Sequence, residues 1–181
     1  MKKKLLYGLA FLILVIIFLS RFGFQIGNLR IGHQKDFSYN QKSSLEGSLF
    51  YKKYYAQNKL LCINIWATWC VPCIEEMPSL NALKLQFSNK PIEFLSLSID
   101  DDSAQLIKFL QTQKFAFKDI TLENSQYRNA ILNTLEGKKS DAYIAIKSVP
   151  NTYLLKNGVI IKFFPGQVDT AELRKVISEN L

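Results

Sequence analysis

The sequence predicts an α/β domain, a central mixed sheet flanked by helices, preceded by one N-terminal transmembrane helix. Three observations carry this expectation. After about residue 46, short apolar runs rich in β-branched and aromatic residues alternate with segments of helical periodicity. Asn157-Gly158 stands between two apolar runs, a strong hairpin signal. Residues 5–19 are an uncharged apolar run with Lys2, Lys3 and Lys4 before it and Arg21 after it. Of the 181 residues 48% are hydrophobic, enough for a real core.

The N-terminal run has the charged and apolar regions of a secretory signal, but the following SRFGFQIG offers no small-residue cleavage site. No cysteine follows it to carry a lipid. With Phe22 to Ile26 partly buried, the span approaches the ~20 residues a crossing helix needs. Residues 1–24 therefore predict an uncleaved anchor, with a cleaved signal as the alternative. The lysines hold the N-terminus in the cytoplasm, and the domain lies outside, in a bacterial periplasm or its equivalent. Residues 25–45 are polar and predict a juxtamembrane linker, which leaves residues 46–181 as the domain. Lys2, Lys3, Lys4 and Arg21 supply four of the net +8 charges, and the rest are dispersed. That distribution suits membrane orientation and argues against a nucleic-acid partner.

Within the domain, Leu60–Trp66 predicts a buried strand. A helix is expected from Cys70, or just after it, into the high eighties, ended by the region of Pro91. Residues 92–99 predict a strand. Asp100, Asp101 and Asp102 precede a helical SAQLIKFLQ, where carboxylates complement the dipole; a metal site is the alternative. Residues 115–122 predict a strand and 125–136 a helix stopped by Gly137. Strands over 151–155 and 159–164 form the hairpin, and 169–180 a last helix capped by Asp169 or Thr170.

Cys70 and Cys73 form a C-x-x-C pair, and Cys62 precedes them. The spacing alone fits zinc, haem attachment or redox work. Zinc wants four ligands, and only Cys62 and His33 are available besides the pair. Haem attachment wants His where Ile74 stands. A copper carrier would depend on His33. Redox chemistry fits by position, because the pair follows a strand and opens a helix, where unpaired N–H groups stabilise a thiolate. Cys70 at the exposed start would attack, and Cys73, one turn in, would resolve the mixed disulfide. Pro72 is tolerated in a first turn, whereas Pro78 should kink the helix. Cys62 reads as an inert core thiol.

WATWCVPCIEEMP, residues 66–78, resembles the active-site segment of the thioredoxin superfamily, in particular its TlpA/ResA-like membrane-anchored thiol-disulfide oxidoreductases. Trp66, Trp69 and Pro78 match outside the pair. Val149-Pro150 before NTYLL is similar to the family's second signature, which implies a cis-proline facing the disulfide. Asn64 stands where thioredoxins proper carry a buried Asp, as is usual in this subfamily. Residues 100–136 would supply its strand-helix insertion. The resemblance implies a thioredoxin-like fold and a proton-transfer role for Glu76, a buried carboxyl with a raised pKa. It also implies that Val149 offers backbone hydrogen bonds to an extended substrate. The family's entry motif survives only as Lys35-Asp36-Phe37, and Ser148 replaces a common glycine.

The function this implies is reduction of disulfides in exported proteins by Cys70-Val-Pro-Cys73. Electrons would come from a transmembrane reductant of the CcdA/DsbD type, and apocytochrome c is one family substrate. A disulfide-forming oxidase or isomerase on the same fold is the alternative, and a copper or zinc carrier the third reading. The expected enzyme is a monomer without cofactor or metal beyond its redox-active disulfide.

Overall fold

The computed structural model describes residues 7, 8, 11, 14, 15, 24–26, 29–31, 41–138 and 148–181. The anchor expected over residues 1–24 falls almost wholly outside them. Among the described residues no helix is long and apolar enough to cross a membrane. The chain divides into two units, Met1–Lys35 and Asp36–Leu181. In the first, β1 (Phe24–Ile26) pairs antiparallel with β2 (Leu29–Ile31), Phe24 opposite Ile31. This short hairpin lies where composition predicts a linker. Only two residues, Gly27-Asn28, separate its strands in sequence.

The second unit runs through β3 (Leu60–Trp66), α1 (Val71–Gln86), β4 (Ile92–Ser98), α2 (Ser103–Thr112), β5 (Lys118–Asp119) and α3 (Arg128–Leu135). It ends with β6 (Asn151–Lys156), β7 (Val159–Pro165) and α4 (Thr170–Asn180). Among the described residues the sheet order is β5-β4-β3-β6-β7. β3 pairs parallel with β4 and antiparallel with β6, so the sheet is mixed.

Every residue of β3 is buried because the strand is central and both of its faces are covered. Leu61, Ile63 and Ile65 face a layer containing Phe50, Tyr54 and Ile131 of α3. Leu60 and Cys62 face the other layer, where Leu80 and Leu83 of α1 meet Leu173 and Ile177 of α4. Fully burying an aliphatic side chain of this size stabilises the fold by about 1.5–3 kcal/mol. The period-2 alternation of β3 is thus read out on two opposed layers.

Side-chain caps set the helix starts. Asp102 Oδ1 accepts from the Ala104 and Gln105 amides at 2.9 and 3.2 Å. Asp169, rather than Thr170, caps α4, accepting from Ala171 N at 2.8 Å. The strand expected over 115–122 contracts to Lys118–Asp119 because α1 has taken the backbone before it. Asn81 accepts from Ala116 N and donates to Lys114 O, both at 2.7 Å, and Lys84 donates to Ala116 O. The helix expected over 125–136 begins as a 3-10 turn at Leu122–Tyr127, and α3 starts only at Arg128. The break is at buried Asn124. Its side chain accepts from Phe50 N and donates to Ile120 O, each at 2.9 Å, and its backbone is non-helical. Gly137, at φ +65°, follows the helix as expected.

β6 and β7 are joined through Asn157 and Gly158, both at positive φ, 55° and 75°. That is the pattern of a two-residue primed turn, which suits the twist of the strands. A Cβ on Gly158 would sit 3.2 Å from Tyr55 Cε1. Gly158→Ala should therefore lower unfolding free energy by about 1–2 kcal/mol, read from the urea midpoint. An unchanged midpoint would mean that neither the turn nor the Tyr55 contact constrains this position.

Candidate active site

β3 ends at Trp66, and the chain turns through Ala67–Cys70, closed by the Cys70 amide donating to Ala67 O at 3.1 Å. Cys70 is the N-cap of α1, in extended conformation, and its Sγ accepts from the Cys73 amide at 3.2 Å. Pro72 lies in the first turn, where its missing N–H leaves no intrahelical bond broken. Cys70 and Cys73 are joined by a disulfide, with Cα atoms 5.3 Å apart. The position at the helix start is the one in which backbone N–H groups and the dipole stabilise sulfur-borne negative charge.

Cys70 and Cys73 are buried with Trp66, Ala67 and Met77, and Val149 packs against this cluster. The Val149–Pro150 bond is cis, and Pro150 is buried. The turn leading into β6 is held by Asn151 Nδ2 donating to Ser148 O at 2.9 Å. Trp66 is fully buried against Phe109 and Phe115, with ring centroids 5.1 and 6.1 Å away. Trp69 and Val71 lie open to solvent on either side of Cys70, 60% and 62% exposed. The pair is thus reached through an apolar rim. Pro78 lies inside α1, which continues to Gln86.

Glu76 lies one turn beyond Cys73 and is buried, whereas Glu75 is exposed. Its Oε1 accepts from Asn64 Nδ2 at 2.9 Å and its Oε2 from the Val168 amide at 3.0 Å. Asn64 also donates to Thr152 Oγ1 at 3.0 Å, across the β3–β6 pairing. Burial pushes the Glu76 carboxyl above the usual carboxylate range; the bonds from Val168 and Asn64 offset part of that. Cys62 is fully buried on the face of β3 that carries Asn64. Burial first, and the charge of Glu76 second, push its thiol far up, so it stays protonated.

The structure thus gathers Trp66, Cys70, Cys73 and Val149 in one cluster and ties Glu76 to Asn64. Pro72 contributes its carbonyl, which accepts from Gln167 Nε2 at 3.0 Å. His33, on which the copper reading depends, lies outside the described residues. Sequence reasoning missed three groups beside the pair. Val168 and Gln167 gave no sequence signal. Asp119, half-buried, accepts from Ser96 Oγ at 3.0 Å, with the Trp66 indole N–H at 3.4 Å; desolvation raises its pKa. The sequence groups Asp100 with Asp101 and Asp102 at a helix start, yet its carboxylate binds Thr68.

The Redoxin family matches residues 35–177. The chain is 28% identical over 151 residues to the thiol-disulfide oxidoreductase ResA of Oceanobacillus iheyensis, covering 83% of this chain and 66% of that protein. It is 24% identical over 120 residues to the ResA of Geobacillus thermodenitrificans, covering 66% of this chain and 62% of that protein. These matches span just under two thirds of the relatives' own length. Among solved structures, a thiol:disulfide interchange protein of the thioredoxin family from Chlorobium tepidum superposes with a TM-score of 0.53 at 17% identity. That match covers 68% of this chain and 81% of that one. The fold is therefore thioredoxin-like.

The raised pKa of Glu76 has a thermodynamic sign. The folded chain retains this proton at pH values where the unfolded chain, near its ordinary pKa of about 4.3, has released it. The stability so contributed is complete below that pKa and is lost as pH rises through the folded value. Glu76→Gln should therefore remove a downward slope from the curve of urea midpoint against pH. Parallel curves for the two proteins would show that Glu76 does not hold its proton in the fold.

Proposed function

This chain belongs to the Redoxin family, and from that membership and the Cys70–Cys73 pair at the start of α1 we propose that it is a thiol-disulfide oxidoreductase that reduces disulfides of exported proteins. The observation that carries the reading is Cys70 at the N-cap, with its partner one turn into the helix on the same buried cluster.

In the reduced chain, the Cys70 thiolate attacks one sulfur of a substrate disulfide. A mixed disulfide forms and the first substrate thiolate leaves. Cys73 then loses its proton and attacks Cys70 Sγ. The Cys70–Cys73 bond forms, the mixed bond breaks, and the second substrate thiolate leaves. Two electrons have passed from the dithiol to the substrate. Glu76 is the group we assign to accept the Cys73 proton. Its burial keeps its pKa in reach of a thiol better than an exposed carboxylate would. Val149, beside the pair and before the cis bond, suits backbone pairing with an extended substrate segment.

The apolar run at residues 5–19, with its flanking lysines, supports a membrane anchor and a domain on the outer side. A dithiol reductant in the membrane, of the CcdA/DsbD type, would restore the reduced pair, and apocytochrome c is one candidate substrate. The direction of flow is a matter of potential. We expect a value near thioredoxin's, about −270 mV, and one near about −120 mV would reverse the assignment to an oxidase.

Trapping separates the two cysteines. Cys73→Ala should accumulate mixed disulfides with cellular proteins through Cys70, visible on non-reducing gels and abolished in Cys70→Ala/Cys73→Ala. Accumulation in Cys70→Ala instead would exchange the two roles. Accumulation in neither single variant would remove the oxidoreductase reading.

A further inference from the structure

Parallel pairing brings the C-terminal ends of β3 and β4 side by side, with Trp66 opposite Ser98. The Ile99 amide donates to Trp66 O at 2.9 Å and carries the alignment one residue further. Thr68 and Asp100 then face each other just beyond the sheet. Asp100 is 1% exposed. Its Oδ2 accepts from the Thr68 amide at 2.9 Å and its Oδ1 from the Thr68 hydroxyl at 2.6 Å. Ser98 Oγ donates to Oδ2 at 2.5 Å, and the Asp100 amide donates back to Ser98 Oγ at 2.9 Å. Gln105 Nε2, from α2, donates to Thr68 Oγ1 at 2.8 Å. With that acceptor position filled, the threonine proton is directed at Asp100. Arg128, at the start of α3, donates to the Asp100 carbonyl.

We propose that Asp100 is a positioning residue for the reactive turn: its carboxylate grips Thr68 through two hydrogen bonds and so fixes the Ala67–Cys70 turn that presents Cys70 to an incoming disulfide. Ala67 is buried and the Cys70 amide closes the turn onto its carbonyl, but Thr68 itself is held by Asp100 and Gln105. Trp69, between Thr68 and Cys70, is 60% exposed and packs too little to anchor the backbone. Charge-assisted bonds to a buried carboxylate are roughly twice as strong as neutral ones. Two of them on one residue fix orientation as well as distance. The N-cap geometry of Cys70, with Sγ 3.2 Å from the Cys73 amide, depends on how the turn delivers it. Loss of the grip should degrade that alignment and with it the stabilisation of a Cys70 thiolate.

This inference rests on the reading of Cys70 as the attacking thiol, and its deciding readouts, alkylation and potential, need no substrate. The full chain is reduced, Cys70 is alkylated with iodoacetamide across a pH series, and the site is read by mass spectrometry. The Cys70–Cys73 potential is measured in parallel against dithiothreitol buffers. Thr68→Val keeps the shape and removes the hydroxyl. It should raise the Cys70 alkylation midpoint by about half a pH unit. Thr68→Ser keeps the hydroxyl and should match the parent chain. Thr68→Val/Asp100→Asn should show no more than the larger single effect, because both substitutions remove one linkage. An unchanged midpoint and potential in Thr68→Val, an equal shift in Thr68→Ser, or additive single effects would each overturn the proposal. If Asp100→Asn does not fold, the Thr68→Val and Thr68→Ser pair decides alone. Normal reduction of insulin with an unmoved Thr68→Val profile would defeat this inference only. A moved profile in a chain that reduces no disulfide would support it while defeating the oxidoreductase reading.

Discussion

The central strand β3 has a neighbour on each edge and a packed layer on each face, and its seven residues are all buried. A strand so enclosed cannot slip by one residue without exchanging its two faces. Its last residue, Trp66, therefore occupies a fixed place, and the reactive turn departs from that place. Cys70 reaches the N-terminus of α1 only because α1 packs back onto one face of β3 through Leu80 and Leu83. The disulfide's position is thus a consequence of packing some distance from the sulfurs.

Glu76 shows the opposing effects at the site most plainly. Removing a carboxylate from water disfavours its charge, whereas two hydrogen bonds, one to each oxygen, favour it. Burial wins, so the carboxyl keeps its proton to higher pH than an exposed glutamate would. Asn64 suits this site as a carboxylate at the same place would not. A second acid on β3 would share the cluster with Glu76 and couple its own titration to it. An amide instead supplies donors in either state, and its second hydrogen bond, to Thr152, ties the proton site to the strand that follows Pro150.

Where sequence and structure agree, the determinant is local. The alternation in Leu60–Trp66, the cap at Asp169 and the Asn157-Gly158 turn are each contained within a few residues, and each forms as the residues dictate. The Cys70–Cys73 pair and its helix were legible for the same reason. Where they differ, a side chain from far along the chain has claimed the backbone. Asn81 and Lys84 take the peptide groups around Ala116, more than thirty residues away, and the expected strand shortens. Asn124 reaches Phe50, and the expected helix starts late. Three consecutive aspartates look alike in sequence, and nothing local sets Asp100 apart. In the fold, Asp102 caps α2 and Asp100 turns inward to Thr68. No periodicity encodes such partners, because they are set only once β3 and β4 lie side by side.

The bond from the Val168 amide to Glu76 Oε2 links the residue just ahead of α4 to the centre of the site. The acceptor of this amide can itself take up a proton. When Glu76 is ionised this amide faces a full negative charge, and when Glu76 is protonated it faces a neutral oxygen or loses its partner. Its nitrogen resonance and its solvent exchange rate must follow that change. Val168 is therefore a built-in spectroscopic gauge of the proton inventory beside the disulfide. It sits on a segment whose isotope label would disturb neither sulfur.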